Sequence, residues 1–450
     1  MRRFLSILLA ASLALPAFAQ GAPVAVNPAD TVWLIVATAL VLLMTPALAL
    51  FYGGLVKTKN VLNTMLMSFV TMGVGSVAWI LIGYSLAFGK SGTGFIGDLQ
   101  YVLANGVSFT TPYGTQTIPA ALFMLFQMKF AIITPALVSG AVAERIKFGS
   151  YVIFTALWSL IVYAPLACWV WNPDGWLFKM GALDFAGGTV VHLASGVSAL
   201  ALILILGKRK EAHTEPNNIT LTLFGAGLLW FGWFGFNAGS SLAANNVAIS
   251  AFATTHIAAA MAMCAWMGIE YIRTKRVSAI GCASGLVAGL VAITPAAGYV
   301  TIASSLLIGL AAGTVCFFAI ELKHRLGYDD ALDVVGVHGV GGMLGAMLTG
   351  VFADPLVNEA VKASLEKGRM NLIMVQGISV LAVGAFAFIL AFAIGKLLAV
   401  TIGLRSKEEC EDLGLDKAYH GEDGYSVIPA DLVARIDPTE LLAKVPAEAR

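Results

Sequence analysis

The chain has 450 residues, 58% hydrophobic and only 12% charged, with 47 glycines and a net charge of +1. A soluble domain carries about 25% charged residues, so with a mean hydropathy of +0.84 that class is excluded and a polytopic membrane protein is expected. The small net charge hides an asymmetry: 6 of the 27 Lys/Arg and 11 of the 26 Asp/Glu follow Gly403, so an acidic tail succeeds a mildly basic membrane body.

The chain opens with Arg2 and Arg3, an apolar run from Phe4 to Leu15, and Ala17-Phe18-Ala19. That is the charged, apolar and small-residue order of a secretory signal peptide, cut after Ala19. Cleavage would leave the mature N-terminus outside and points to a bacterial inner (cytoplasmic) membrane. The domain division is then 1–19 signal peptide, 20–402 membrane domain and 403–450 cytoplasmic tail. Eleven apolar stretches follow, near 31–53, 63–88, 117–138, 149–172, 186–206, 219–239, 247–271, 279–296, 300–320, 336–353 and 372–402. Each is long enough to be read as a membrane-spanning helix. The alternate connections carry Lys57 and Lys59, Arg145 and Lys147, Lys208 to Lys210, Arg273 to Arg276, Lys323 and Arg325, then Arg405 and Lys407. The positive-inside rule therefore predicts a multi-pass chain with the N-terminus out and the C-terminus in. Lys129 departs from this pattern because it falls inside the third span. The five cysteines show neither disulfide nor metal-ligand spacing, and no metal or other cofactor is expected.

Two stretches repeat one spacing. Asp184 precedes His192 by eight residues at the mouth of the fifth span, and Asp330 precedes His338 likewise at the tenth. Asp is a favoured helix cap, and eight residues of helix would set each His roughly 12 Å below it. The repeat recurs after five spans, an odd number, so the copies enter from opposite sides. The fold class predicted is an all-α polytopic membrane protein of about eleven transmembrane helices: inverted five-helix repeats plus a final long helix. Transporters built this way hold their site at the midplane, where the repeats meet.

Ionisable residues inside a membrane are costly and commonly mark a pathway. Two neutral imidazoles, each with one donor and one acceptor nitrogen, make a polar thread through an apolar wall. Such a thread suits a small molecule that both donates and accepts, or a proton relay; the bland reading is a helix–helix hydrogen bond. His256, in the seventh span, has no counterpart and keeps that bland reading. Aromatic residues gather at the outer ends: Trp169 and Trp171 on the fourth span, Trp230 to Phe236 on the sixth, and Phe126 and Phe130 on one face of the third. They are membrane-interface anchors or, beside a hydroxyl and away from carboxylates, a weak cation site.

These residues carry a resemblance. Ala49 to Leu55, Gly181 to His192, Trp233 to Ser240, Gly336 to Val340, and the tail from Gly403 to Glu422 resemble the Amt/Mep/Rh family of ammonium transporters over nearly the whole mature chain. The resemblance implies ammonium uptake by a homotrimer with one pore per subunit, with methylammonium as a possible second cargo. It places Phe130, Trp171 and Ser240 at an outer site for NH4+, with Asp184 as a buried carboxylate nearby. Phe126 would pair with Phe236 over the pore entrance, and His192 and His338 match the family's twin pore histidines. NH4+ would lose its proton below the aromatic gate, NH3 would cross, and the proton's path along the histidines would decide whether transport is electrogenic. The tail would dock on the cytoplasmic face and meet a PII signalling protein. Lys129 departs from the family pattern and is expected to snorkel outward or face a subunit contact. The alternatives are a neutral NH3 or CO2 channel of Rh type, an ammonium sensor, and a redox enzyme using the His pair. The last has no cofactor fingerprint behind it, so the chain is not expected to be an enzyme, and nothing in it suggests a nucleic-acid partner.

Overall fold

The computed structural model describes residues 24–211 and 215–425; the predicted signal peptide and the tail beyond Tyr425 lie outside the described residues. Among the described residues, ten helices are long and apolar enough to cross a membrane. They are α1 (Pro28–Leu55), α2 (Thr58–Phe88), α3 (Ala120–Val142), α4 (Phe148–Met180, broken by a turn at 172–175), α5 (Gly188–Leu206), α6 (Ile219–Gly239), α7 (Asn246–Thr274), α9 (Ile302–Lys323), α10 (Val335–Phe352) and α11 (Arg369–Thr401). Between α7 and α9 a shorter apolar helix, α8 (Ala279–Ile293), completes eleven. The protein is thus an all-α, multi-pass membrane protein. Local chemistry sets many boundaries. At α1, the Asn27 side chain accepts from the backbone of Ala29 and Asp30 while Pro28 occupies the first turn, a position where its missing N–H costs nothing.

The helices run alternately between two faces. One face gathers the basic connections and is called the basic face; the other is called the distal face. α5 starts from the distal face and α10 from the basic face, so the two Asp-to-His copies enter in opposite senses. Both copies open on a π-helical turn, Gly188–Leu193 and Val335–Val340. Each Asp does cap its helix start, Asp184 accepting from the N–H groups of Gly187 to Val190 and Asp330 from that of Val335. The helix beneath is not a plain α-helix, however, and in the first copy it is entered through Gly187, with φ +114°. Single π turns occur mostly at functional sites. Where α5 crosses α10, a Cβ on Gly196 would stand 2.2 Å from the Gly339 nitrogen. Only bare backbone permits that approach, which brings the two histidine-bearing turns together. The same device holds α6 on α1, where a Cβ on Gly225 would sit 2.4 Å from the Phe51 nitrogen.

On the basic face, charges are buried as a set. Arg209 bridges Glu144 and Asp329, each at 2.9 Å, and Arg145, fully buried, donates to the Gly207 carbonyl at 3.0 Å. Burial opposes ionisation of Asp329, yet the bonds from Arg209 win and hold its carboxyl at about 2. The described part of the tail straps across this cluster. Arg405 donates to the carbonyls of Leu206 and Lys208 and pairs with Glu411 at 2.8 Å. Two short helices follow, α12 (Glu408–Leu413) and α13 (Leu415–His420). Asp416 of α13 accepts from the backbone N–H groups of Leu62 and Asn63 at 3.0 and 2.7 Å, so a tail carboxylate caps the positive end of α2.

Candidate transport pathway

Three cavities lie along the repeat interface, and the predicted residues divide among them. At the distal face a vestibule of about 830 Å³ is lined by Trp171, Asp184 and Ser240 among others. Inside lies a cavity of about 20 Å³ lined by apolar side chains from α1, α3, α5 and α6 together with Trp233, Phe236, His192 and His338. Toward the basic face a third cavity of about 240 Å³ is bounded by Tyr52, Arg209, Ser284, Lys323, Asp333 and again His338. The middle space is little larger than one water molecule needs.

Aromatic rings close the passage between the vestibule and the middle cavity. Phe130 and Phe236 stand with ring centroids 4.3 Å apart, and Trp171 meets Phe130 edge-on at 5.8 Å. The predicted pairing of Phe126 with Phe236 is corrected here: Phe126 packs on Phe130 at 5.0 Å and lies under Gly239, where a Cβ would come within 2.9 Å of its ring. Because α3 and α6 run antiparallel, Phe126 is level with Gly239 and Phe130 with Phe236. The Trp171 indole donates to the Asp184 carbonyl at 2.9 Å, which fixes the ring. The Ser240 hydroxyl donates to the Phe236 carbonyl at 2.8 Å and so keeps acceptor lone pairs for a ligand.

The Asp184 carboxylate is almost fully occupied by its own chain. Oδ1 accepts from the N–H groups of Gly187 and Gly188 at 2.8 and 2.6 Å. Oδ2 accepts from the N–H of Thr189, its hydroxyl, and the N–H of Val190 at 2.8, 2.6 and 3.2 Å. Its inverted counterpart is less well served: Asp330 accepts from Val335 at 2.7 Å through Oδ2, while buried Oδ1 has no partner. The carbonyl of Asp330 receives Lys323 at 2.9 Å. Burial, reinforced by nearby Asp333, pushes the Asp330 carboxyl up to about 6.

The histidines meet. Their Nδ1 atoms lie 3.2 Å apart and their rings stack with centroids at 5.2 Å, both buried. A bond between two Nδ1 atoms requires opposite tautomers, one donating and the other accepting. The His192 Nε2 atom is buried and unpartnered, on a ring that borders the middle cavity. Trp233 stacks on His192 at 5.4 Å and is itself held by its indole N–H to Thr294 at 2.9 Å. Sequence reasoning named the stretches holding Thr189 and Trp233 but gave neither residue a part, and it did not single out Thr294. The doubled glycine at Gly187-Gly188 was the available signal that the first of these helices opens irregularly. Lys129 lines none of the three cavities. His256 points away from the pathway, exposed, with its ring on Trp230 at 5.0 Å.

Helices entering from opposite faces, an aromatic closure and a polar pair in an apolar constriction define a membrane transport protein, with a conduit in place of a catalytic centre. Comparison with known proteins specifies which kind. Residues 32–425 match the Ammonium Transporter Family. The chain is 48% identical over 398 residues to an ammonium transporter of Bacillus subtilis, covering 88% of this chain and 98% of that one. It is 47% identical over 416 residues to an ammonium transporter of Aquifex aeolicus, covering 91% and 96%. Its fold superposes on the crystal structure of Saccharomyces cerevisiae Mep2 with a TM-score of 0.79 and 36% identity, covering 85% and 90%. The chain belongs to the ammonium transporter family and is a transporter, not an enzyme.

Proposed function

We propose that this protein takes up ammonium across a bacterial inner membrane, with the distal face outside and the basic face and tail in the cytoplasm. The single observation that carries the reading is the His192–His338 pair, joined at 3.2 Å, bordering a dry-walled cavity between two open vestibules. Phe130, Trp171 and Ser240 form the outer capture site: ring faces attract the cation by roughly 0.5–2 kcal/mol, and the Ser240 hydroxyl accepts one N–H. Taking an intact ion farther costs several kcal/mol, more than the rings return. NH4+ therefore gives up its proton at the aromatic closure, and NH3 crosses the constriction formed around Phe236 and the histidines. Each imidazole can donate to or accept from ammonia, which both donates and accepts. The unpartnered Nε2 of His192 takes up the proton that NH4+ gives up, His192 passes its Nδ1 proton across the shared bond to His338, and His338 releases its Nε2 proton toward the basic face, so transport is electrogenic. Asp184, its oxygens engaged, acts as a positioning residue that holds Trp171 and the start of the His192 helix, while its negative charge favours a cation nearby.

The protein works as a homotrimer with one pathway per subunit, and a PII signalling protein meets the docked tail. The uptake reading is tested by current on a supported proteoliposome membrane after an ammonium pulse, comparing the wild type with His192→Ala/His338→Ala. A saturable transient current in the wild type, lost or no longer selective against K+ in the double variant, is the expected result. Silence in the wild type together with pH-detected ammonia entry would replace the electrogenic mechanism by a neutral gas channel, and silence in both assays would leave a sensor.

A further inference from the structure

Two polar side chains sit on the membrane-facing flanks with no nitrogen or oxygen partner among the described residues. Lys129 is partly exposed on α3, beside Leu125 at 37% exposure; its nearest polar contact is the Met128 sulfur at 3.9 Å, a weak acceptor. A lysine at membrane depth costs about 2.5–3.5 kcal/mol even on lenient scales and is ordinarily paired. His256 is exposed on α7 with its ring flat on Trp230, and among the described residues neither ring nitrogen has a hydrogen-bond partner. The two residues lie on different flanks: α3 packs on α1, α2 and α5, whereas α7 packs on α6, α8 and α9.

Their depths agree. Asp30 ties the starts of both helices to one level, accepting from the Ala244 N–H at 2.8 Å and from the Thr117 hydroxyl. α3 begins at Ala120 and α7 at Asn246, so Lys129 and His256 lie nine and ten residues in, roughly 14 and 15 Å down their helices. The apolar neighbours agree as well. Leu125 precedes Lys129 by four residues, and Phe252 precedes His256 by four, so both helices carry an apolar residue one turn above a polar one. Phe252 also edges an apolar groove of about 450 Å³ shared with Trp33, Ala248 and Ile249.

We infer that Lys129 of one subunit donates to His256 of the next, with Leu125 laid against Phe252 a turn above. A contact between two different flanks repeats head to tail and closes a ring, and an ammonium meeting an imidazole nitrogen in apolar surroundings makes a charge-assisted bond. This rests on the homotrimer reading and adds the contact that registers it. The test places cysteines at Lys129 and His256 in full-length protein whose exposed Cys264 and tail Cys410 are alanine, and treats membranes with a short bis-methanethiosulfonate. Dimer and trimer bands are expected only when both cysteines are present. Native mass spectra of the untreated wild type separate the failures: a trimer without cross-linked bands overturns the contact alone, whereas a monomer overturns the trimer reading and the contact together. As a second readout, His256→Leu should raise the monomer fraction about fivefold by stranding the lysine. Lys129→Met added to it should restore the trimer, since an apolar pair replaces a buried polar one at little cost; additive losses would overturn the pairing.

Discussion

Asp184 and Asp330 occupy the same place in two copies of one spacing, and their surroundings make them unequal. Asp184 receives five hydrogen bonds on two oxygens. An amide there has one acceptor oxygen and would turn its NH2 against backbone donors. Asp184→Asn should therefore cost roughly 3 kcal/mol or more, seen as a lower melting temperature in detergent by fluorescence-detected size exclusion. Asp330→Asn should be tolerated, because Oδ1 has no donor to lose. The pH behaviour follows from the raised carboxyl. Its folded value of about 6 stands above the ordinary 3.8, so the folded state holds the proton more tightly than the unfolded chain. Asp330 thus contributes stability in full below about pH 4, and this is lost as pH rises to 6. The change is on the order of 3 kcal/mol at most by linkage. Melting temperatures of wild type and Asp330→Asn should converge toward pH 4 and part above pH 6, with the wild type lower; parallel curves would refute the assignment.

At the scale of elements, the crossing of α5 and α10 depends on glycine backbone. A methyl on Gly196 meets the Gly339 nitrogen at 2.2 Å, so Gly196→Ala must push the helices apart. The expected cost is at least about 1–3 kcal/mol, together with a loss of ammonium-evoked current, because the 3.2 Å histidine contact spans the same crossing. Gly73 is the control. It is exposed on α2, and a Cβ added there would meet nothing within 4 Å. Gly73→Ala should stabilise the helix by about 0.5–1 kcal/mol and leave transport unchanged. The two substitutions are the same chemical change, and only their packing separates the outcomes.

At the scale of the whole molecule, the tail is joined to the membrane domain by a dense set of polar contacts, with Leu404 and Leu415 as its buried apolar anchors. Arg405 alone holds two carbonyls after α5 and the Glu411 carboxylate. Arg405→Met should free the strap while the helical body stays folded, because no apolar helix contact depends on that guanidinium. Limited proteolysis checks this: cleavage between Ser406 and Tyr425 should accelerate severalfold, while the melting temperature moves by no more than a few degrees. Equal protection of wild type and variant would mean that α13 and its Asp416 cap on α2 suffice.

Much of this was legible in the chain. Twenty-residue apolar runs demand helices, since a membrane interior satisfies no stray backbone group. The odd number of spans between the two Asp-to-His motifs dictated opposed entry, and the residue types at His192, His338, Trp171 and Ser240 are what the proposed chemistry rests on. What the sequence left undetermined depends on contacts between distant segments. That Phe130, rather than Phe126, meets Phe236 is a matter of register between antiparallel helices. That Asp184 is saturated and Asp330 is not depends on how two irregular helix starts fold back on a carboxylate. The Nδ1-to-Nδ1 contact exists because Gly196 and Gly339 let two backbones touch. Hydropathy is a property of each residue and survives in one dimension; register and close approach are relations between residues and come into being only when the chain is packed.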